Sequence, residues 1–325
     1  MSQDLSTKST GNSGNRFMEL VLKYNTVVVL LIIFLFFSFT SGSFLKPGNL
    51  INVIRQISIN GIIAMGMTLI ILTGGIDLSV GSVAALSSVI AATIANQANV
   101  IWWVSIPVAI GIAIILGLIS GAFISFFNLA PFIMTLAMMT ISRGLAYTFS
   151  NGKPVSGVHR DFLIIGKGDL FGIPIPALIL VFVVVVTYIL LRFMPLGRYI
   201  YAVGGNERAA RVSGLNIKLI KVAVYGIAGF FTGIASVVVT SRLSAGLPQV
   251  AVGYEMDAIG AVVIGGTSLA GGKGGMLGTL VGVLIFGFIN NGMDLLNVAS
   301  YPQQIIKGII IILAVLLDSA RNKVE

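Results

Sequence analysis

The sequence predicts an all-α polytopic membrane protein of about ten transmembrane helices, arranged as an internal repeat of two halves, with both termini in the cytoplasm. Of its 325 residues, 56% are hydrophobic and only 10% are charged, against about 25% charged residues in soluble domains. Continuous apolar runs of membrane-spanning length recur along the chain, and in lipid a helix closes its own backbone hydrogen bonds. Basic residues concentrate in a few connections between these runs, as they do in cytoplasmic loops.

The chain is expected to begin with a disordered cytoplasmic tail over residues 1–23. A membrane domain over 24–320 and a cytoplasmic tail over 321–325 are expected to follow. Arg16 and Lys23 precede the first apolar run and keep its start inside. The helices are predicted near residues 26–39, 52–73, 79–96, 101–126, 130–149, 175–193, 219–241, 256–271, 276–295 and 302–318.

Charge sets the predicted orientation of these helices. Residues 150–175 form a polar loop. Because five helices precede it and the chain starts inside, this loop is expected on the outer side of the membrane. The segment from Arg192 to Lys221 carries six basic side chains against Glu207 alone, which predicts a cytoplasmic loop over about 195–218. The predicted helices 79–96 and 256–271 are short and rich in glycine and serine, so they are candidates for broken or re-entrant segments. An eight-helix arrangement would satisfy the same charges.

Several function classes are excluded by composition. The net charge of +9 belongs to cytoplasmic segments, so no nucleic-acid partner is expected. Cysteine is absent and His159 is the one histidine, which excludes thiol chemistry and leaves almost no metal ligands or catalytic triad. The stretch 265–278 fails as a phosphate-binding loop, because Thr267 replaces its first glycine and Gly274 follows Lys273. No catalytic residue, metal or cofactor is therefore assigned, and any ATP must bind another subunit.

Two glycine-rich motifs indicate the internal repeat. Residues 74–81 (GGIDLSVG) and 265–272 (GGTSLAGG) agree at the glycine pair, the leucine and the final glycine, and each lies between two apolar helices. Glycine-interrupted helices at corresponding positions of two halves mark the transport path in many transporters. The alternative is a chance similarity, because identities between glycine-rich turns arise easily.

A short amphipathic helix is predicted inside the basic loop. Residues 207–211 can form it, with Asn206 as its N-cap and Gly214 as its stop. An exposed helix between two membrane spans offers a contact for a cytoplasmic partner. The alternative is a solvated loop whose charges only orient the chain.

Several polar side chains fall in or near the predicted spans, where unsatisfied burial is expensive. We expect them to face protein or a water-filled path. Asp77 has two interpretations, since its carboxylate can bind a hydroxyl group of a polyol or cap the next helix. The candidates for a translocation pathway are Asn60, Asp77, Ser79, Arg143, Asn290 and Asn291, and further polar groups of this kind are Glu255, Asp257 and Asp294.

Several motifs, taken together and in order, resemble a known family. They are residues 67–82 (MTLIILTGGIDLSVGS), 196–206 (LGRYIYAVGGN) with Ser213-Gly214 after it, 254–259 (YEMDAI) and 265–274 (GGTSLAGGKG). These motifs are similar to those of the ribose-type permeases of bacterial ABC monosaccharide importers, in the branched-chain amino acid/ribose permease superfamily. The resemblance runs from about residue 45 to Asp318.

The resemblance implies a permease subunit that works as two copies of itself in the lipid bilayer of the bacterial cytoplasmic (inner) membrane. Its partners would be a cytoplasmic ABC ATPase, which binds the ATP, and an extracytoplasmic sugar-binding protein that docks on residues 150–175 and 242–256. The family's EAA-like coupling motif would fall on Glu207, Ala209, Ala210 and Gly214, and the loop that couples to the ATPase would comprise Asn206, Glu207, Arg208, Ala209, Ala210 and Gly214. Here Arg208 separates the glutamate from the alanine pair, which is a departure from the family pattern.

The function implied by the resemblance is import of a monosaccharide, with ribose as the expected sugar. The same machine could instead carry allose, xylose, galactose or a nucleoside. An alternative of another class is a stand-alone secondary transporter, which predicts uptake by this chain alone.

Overall fold

The computed structural model of the chain describes residues 25–97 and 101–322. The predicted tail over 1–23 and residues 323–325 lie outside the described residues, and the last helix continues to Asn322, past the boundary predicted at residue 320. The helices of this part of the chain are α1 (Asn25–Thr40), α2 (Pro47–Leu72), α3 (Val80–Ala95), α4 (Ser105–Phe126), α5 (Pro131–Phe149), α6 (Ile164–Lys167), α7 (Ile175–Arg192), α8 (Pro195–Gly205), α9 (Glu207–Val212), α10 (Ile217–Leu243), α11 (Tyr254–Ile264), α12 (Met276–Leu295) and α13 (Ser300–Asn322).

Six helices of the described residues are long and apolar enough to cross a membrane. They are α2, α5, α7, α10, α12 and the helical segment Trp102–Phe126, which contains α4. The polytopic helical class is therefore confirmed, whereas ten crossings, the repeat and the side of the termini stay predictions. The 16 residues of α3 rise about 24 Å, less than the roughly 30 Å hydrocarbon core, in keeping with a broken or re-entrant segment.

The prediction for residues 256–271 is wrong at its C-terminal end, because α11 stops at Ile264. The following loop adopts left-handed φ angles at Gly266 (87°), Gly271 (88°), Gly272 (73°) and Gly274 (119°). A right-handed helix cannot continue through such residues. Hydropathy did not reveal this end of the helix, because the residues after it are small and uncharged up to Lys273.

The centre of the bundle is α10, which packs against α2, α3 and α4. Glycines form its contact with α4: an added Cβ on Gly229 would collide with the backbone of Ala113, and one on Gly117 with the backbone of Tyr225. Without side chains between them, the two helices approach at backbone distance and gain dispersion contacts. The side chain of Tyr225 is buried, and its hydroxyl donates a 3.0 Å hydrogen bond to the carbonyl oxygen of Ile76.

One end of the bundle, called here the loop end, contains residues 150–175 and 244–253. Four short strands lie there, and they are β1 (Val155–Ser156) paired antiparallel with β4 (Ala245–Gly246), and β2 (Asp169–Leu170) paired antiparallel with β3 (Ile173–Pro174). Arg55, near the start of α2, donates a 3.1 Å hydrogen bond to Asp169 Oδ1. Pairing of β1 with β4 therefore joins the two sequence segments that were predicted to dock an external partner.

Residues 245–251, called here the inserted segment, enter the bundle and run alongside α3. A Cβ on Gly246 would lie 2.7 Å from Ala92 Cβ, near the end of α3, whereas a Cβ on Gly81, near its start, would collide with Ala251 O. Most of residues 245–251 are buried. Non-helical backbone at this depth is tolerated only where protein or a water-filled cavity surrounds it.

The opposite end of the bundle, called here the basic end, contains residues 193–218 and 265–275. Gly272 N donates a 3.0 Å hydrogen bond to Leu72 O, at the last residue of α2. A Cβ on Gly271 would lie 2.8 Å from Gly74 N, so the two glycine-rich motifs that suggest the repeat contact each other there.

Gly117→Ala is expected to lower the thermal stability of the purified protein, whereas Gly111→Ala, in the same helix α4, is not. A Cβ at Gly111 meets no atom within 4 Å, so alanine there stabilises by about 0.5–1 kcal/mol through backbone entropy. Overpacking at Gly117 destabilises by about 1–3 kcal/mol. Circular dichroism in detergent micelles measures both melting temperatures, and equal values would contradict backbone-distance packing of α4 on α10.

Candidate functional site

At the basic end, α8 and α9 form a helical pair joined by Asn206. The Asn206 Oδ1 atom accepts a 3.0 Å hydrogen bond from Ala209 N, so this side chain caps α9. Gly214 has a φ of 84°, and its amide donates to Arg211 O over 3.0 Å. The predicted short helix, its N-cap and its glycine stop are present because these signals act between residues close in sequence.

Glu207 anchors α9 to the rest of the bundle. Its carboxylate accepts hydrogen bonds from Lys221 Nζ at 2.7 Å and from Arg211 Nη2 at 3.1 Å. Lys221 lies on α10, so this ion pair joins two helices. The hydrogen bond from Lys221, strengthened by the charge of Arg211, lowers the pKa of Glu207 below its ordinary value. Sequence reasoning assigned Lys221 only to the basic loop that orients the chain, because its contact with Glu207 depends on how α9 folds back.

The remaining residues of the predicted coupling motif lie on two faces of α9. Ala210 is buried against the bundle, whereas Arg208, Ala209 and Val212 are exposed, Val212 by 90%. Arg208, which interrupts the alanine pattern, therefore points away from the bundle. The exposed face combines an apolar residue with a cation and is available to a partner.

Asp77 lies in the crossover between α2 and α3 and is only 5% exposed. Its Oδ1 atom accepts hydrogen bonds from Ser79 N at 2.7 Å and from Ser79 Oγ at 2.6 Å. This geometry stabilises the turn before α3, whose N-cap residue is Ser79 and which has no side-chain cap hydrogen bond, so both interpretations of Asp77 stay predictions. Both the amide and the hydroxyl of Ser79 therefore donate to Asp77.

The paired asparagines of α12 have different partners. Asn290 Nδ2 donates to Asp257 Oδ2 of α11 over 3.1 Å, and Lys307 Nζ of α13 lies 3.0 Å from Asp257 Oδ1. Asn291 exchanges two hydrogen bonds with Asn49 at the start of α2, at 2.9 and 2.8 Å. Asn291 therefore joins α12 to α2, whereas Asn290 belongs to a buried polar cluster of three helices.

Arg143 and Asn60 complete the set of candidate pathway residues. Arg143 Nη1 donates to Pro248 O at 2.6 Å and to Val250 O at 3.0 Å, which ties the inserted segment to α5. Asn60 is 8% exposed, and its Oδ1 atom has no hydrogen-bond partner among the described residues. No hydrogen bond between described residues joins Asn60, Asp77, Arg143 and α12 into one polar site.

Comparison with known proteins places this arrangement in a family. Residues 49–315 match the permease component of branched-chain amino acid transport systems. The chain belongs to this permease family. The resemblance found in the sequence is thereby confirmed, and the permease is a multi-pass membrane protein.

Several proteins similar to this permease have names that specify a sugar. This permease is 45% identical over 304 residues to the ribose import permease protein RbsC of Bacillus subtilis (strain 168), covering 90% of this chain and 91% of that protein. It is 43% identical over 317 residues to RbsC of Escherichia coli (strain K12), covering 95% and 98%. The D-allose transport system permease protein AlsC of Escherichia coli (strain K12) is 37% identical over 302 residues, covering 93% of each chain. No solved structure matches the permease.

Glu207→Gln is expected to lower the melting temperature at pH 7, because it weakens the ion pair with Lys221. The pKa of Glu207 is lower in the folded than in the unfolded chain, so this stabilisation is present above the unfolded pKa of about 4.3. It is lost as the pH falls through the folded pKa. The effect is small, about 0–1 kcal/mol, because the carboxylate is partly solvated.

Differential scanning fluorimetry at pH 7 and at about pH 4 and below measures this effect of Glu207→Gln. The difference from the unmodified permease should shrink toward acid pH. Arg208→Gln serves as the control, because it removes a charge from the same helix outside the ion pair. A difference that does not depend on pH would contradict the role of the carboxylate.

Arg143→Ala is expected to release the inserted segment 245–251, because two carbonyl oxygens lose their donor. Leaving a buried acceptor unsatisfied costs about 1–3 kcal/mol, so amides of this segment should exchange about tenfold faster or more. Hydrogen–deuterium exchange with mass spectrometry measures the exchange rates of amides in this segment. Arg198→Ala, at an exposed position of α8, is the control, and unchanged protection in Arg143→Ala would show that other contacts hold the segment.

Proposed function

We propose that this permease is the transmembrane subunit of an ABC importer that carries a monosaccharide, with ribose as the expected sugar, across the bacterial cytoplasmic (inner) membrane. The observation that carries the proposal is 43–45% identity to ribose import permeases over at least 90% of the chain. The membrane helices and the exposed pair α8–α9 fit this role. The sequence holds no phosphate-binding loop, so ATP would bind a separate ATPase and the permease needs no cofactor.

The ATPase is proposed to contact α9 at the basic end. The contact residues would be the predicted set Asn206, Glu207, Arg208, Ala209, Ala210 and Gly214. Within this set the exposed Arg208 would meet the ATPase directly, together with the neighbouring Val212, whereas Glu207 and the buried Ala210 would contribute by holding α9 on the bundle. Closure of the ATPase dimer would then displace α9 and tilt the helices behind it.

The sugar-binding protein is proposed to dock at the loop end. Pairing of β1 with β4 brings residues 150–175 and 242–256 together, which supports one continuous docking surface. A loaded binding protein would release its sugar above the inserted segment. Most of the sugar specificity would then belong to the binding protein.

We further propose ten crossings, an internal repeat and cytoplasmic termini. Among the described residues, six long apolar helices and three shorter ones, α1, α3 and α13, lie near the predicted positions, and the 11-residue α11 supplies the tenth. With ten crossings, the basic end and both termini share the cytoplasmic side. Two copies of the permease in the bilayer would enclose the pathway.

The pathway residues are proposed as Asn60, Asp77, Ser79, Arg143, Asn290 and Asn291. Among them, Asn60 offers a hydrogen-bond acceptor that no described residue uses, which suits transient contact with a sugar hydroxyl. Ser79, Arg143 and Asn291 are engaged in hydrogen bonds within the permease and would act by holding the pathway in shape.

Other cargoes are alternatives within the same machine. Relatives named for L-arabinose and D-allose share 38% and 37% identity with the permease, less than the ribose import permeases do. This difference, and the 32% identity to a xylose permease, favour ribose over allose and xylose, whereas galactose or a nucleoside stays an alternative. A stand-alone secondary transporter remains the alternative of another class, distinguished by uptake without an ATPase.

The expected result in proteoliposomes is uptake of radiolabelled ribose only when the permease, the ATPase, ATP and a ribose-loaded binding protein are all present. Omission of each component and replacement of ATP by a non-hydrolysable analogue are the controls. Competition with allose, xylose, galactose and a nucleoside tests the cargo. Uptake by the permease alone would contradict the ABC assignment, and a stronger preference for another sugar would overturn ribose.

A further inference from the structure

Three backbone segments meet at the basic end, and we call their contact the glycine junction. It consists of Leu72 and Gly74 at the end of α2, Gly204 in α8, and Gly271 and Gly272 in the loop before α12. Gly272 N donates a 3.0 Å hydrogen bond to Leu72 O. The junction therefore joins α8 to both glycine-rich motifs of the predicted repeat.

The junction leaves no room for side chains. A Cβ on Gly204 would collide with Leu72 O and lie 2.5 Å from Gly272 N, and a Cβ on Gly271 would lie 2.8 Å from Gly74 N. One on Gly272 would lie 2.7 Å from the Cα and N atoms of Gly205. The atoms in contact are backbone atoms, which cannot change rotamer to absorb a displacement.

Two further hydrogen bonds lock the segments behind the junction. The hydroxyl of Tyr201 in α8 donates to Gly274 O over 3.0 Å. The hydroxyl groups of Thr68 in α2 and Thr279 in α12 are 2.8 Å apart, and both side chains are fully buried. The end of α2, the start of α12 and α8 are thus linked by short contacts.

The connection from α9 to α10 is softer. Besides the buried side chain of Ala210, it includes the flexible Glu207–Lys221 pair and the exposed turn at Gly214, where a Cβ would meet no atom within 4 Å. Long side chains and an open turn can absorb small movements, whereas close-packed backbone transmits them.

We propose that the glycine junction is the element through which movement of the α8–α9 pair reaches the transport pathway. Displacement of α9 by the ATPase would push α8 against Leu72 and Gly272 and move the ends of α2 and α12 together. Asp77 and Ser79 follow Leu72 within seven residues of chain, so the start of α3 would move with them. Gly204, Gly271 and Gly272 are positioning residues in this proposal, which rests on the proposed ABC function.

Gly204→Ala and Gly205→Ala form a matched test, because a Cβ at Gly205 meets nothing within 4 Å. In proteoliposomes with ATPase and loaded binding protein, Gly205→Ala should behave as the unmodified permease. Gly204→Ala should still bind the ATPase, since α9 is unchanged, but its sugar uptake per ATP hydrolysed should fall by about tenfold or more. Its ATP hydrolysis should also lose its dependence on loaded binding protein. Uptake per ATP equal to that of Gly205→Ala would overturn the proposal.

A second measurement does not require a variant of the junction, so poor folding of Gly204→Ala cannot obscure the test. The chain contains no cysteine, so introduced cysteines can be spin-labelled selectively. In the first pair, Arg198→Cys with Ala270→Cys, the distance between the two labels is measured across the junction, and both positions are exposed. In the second pair, Arg198→Cys with Leu219→Cys, the distance between the two labels is measured from α8 to α10. On ATP binding the first distance should stay constant while the second changes by about 1–2 Å or more. Equal changes in both pairs, or no change in a complex that transports, would overturn the proposal.

The two proposals can fail separately. If the unmodified permease with all its partners shows no ATP-dependent uptake, the proposed ABC function fails and the junction loses its role with it. If the unmodified permease shows ATP-dependent uptake and Gly204→Ala takes up as much sugar per ATP hydrolysed, only the junction proposal fails.

Discussion

Close contact between backbones, made possible by glycine, is the constraint on which the rest of this bundle depends. Lipid provides no hydrophobic drive between apolar helices, so association relies on close packing and hydrogen bonds. An added Cβ on Gly282 of α12 would collide with Ala261 of α11, as one on Gly117 of α4 would with Tyr225 of α10. These contacts fix the distances between the central helices, and α3 and the inserted segment occupy the space that remains.

Several polar side chains within the bundle stabilise backbone that is not helical or join two helices. Arg143 satisfies carbonyl groups of the inserted segment, Asp77 stabilises the turn before α3, and Asn291 pairs with Asn49. In a membrane such groups must be satisfied within the protein. These three side chains are committed to the protein itself, which agrees with a proposed importer whose binding protein carries most of the specificity.

Agreement between the predicted and observed site is good for local features and poor for contacts distant in sequence. The helix at Glu207, its cap at Asn206 and its glycine stop follow from residues within eight positions of one another. The ion pair with Lys221 spans 14 residues, and the contact of Gly204 with Leu72 spans two separate helices, so neither is encoded in a local pattern. The predicted end of the helix over 256–271 failed because hydropathy does not detect a change to left-handed backbone.

The sequence by itself determined the helical membrane class, the positions of most helices, the basic segment and the family. These properties depend on apolar length, charge and ordered motifs, each of which is a property of neighbouring residues. Only the tertiary structure decided that the two glycine-rich motifs contact each other beside α8 and that Arg143 holds the inserted segment. It also decided that, within the part of the chain that the structure describes, no hydrogen bond joins the candidate pathway residues into one site. The physical reason is that backbone contact and hydrogen bonding between distant segments depend on how the helices pack, which periodicity along one chain does not specify.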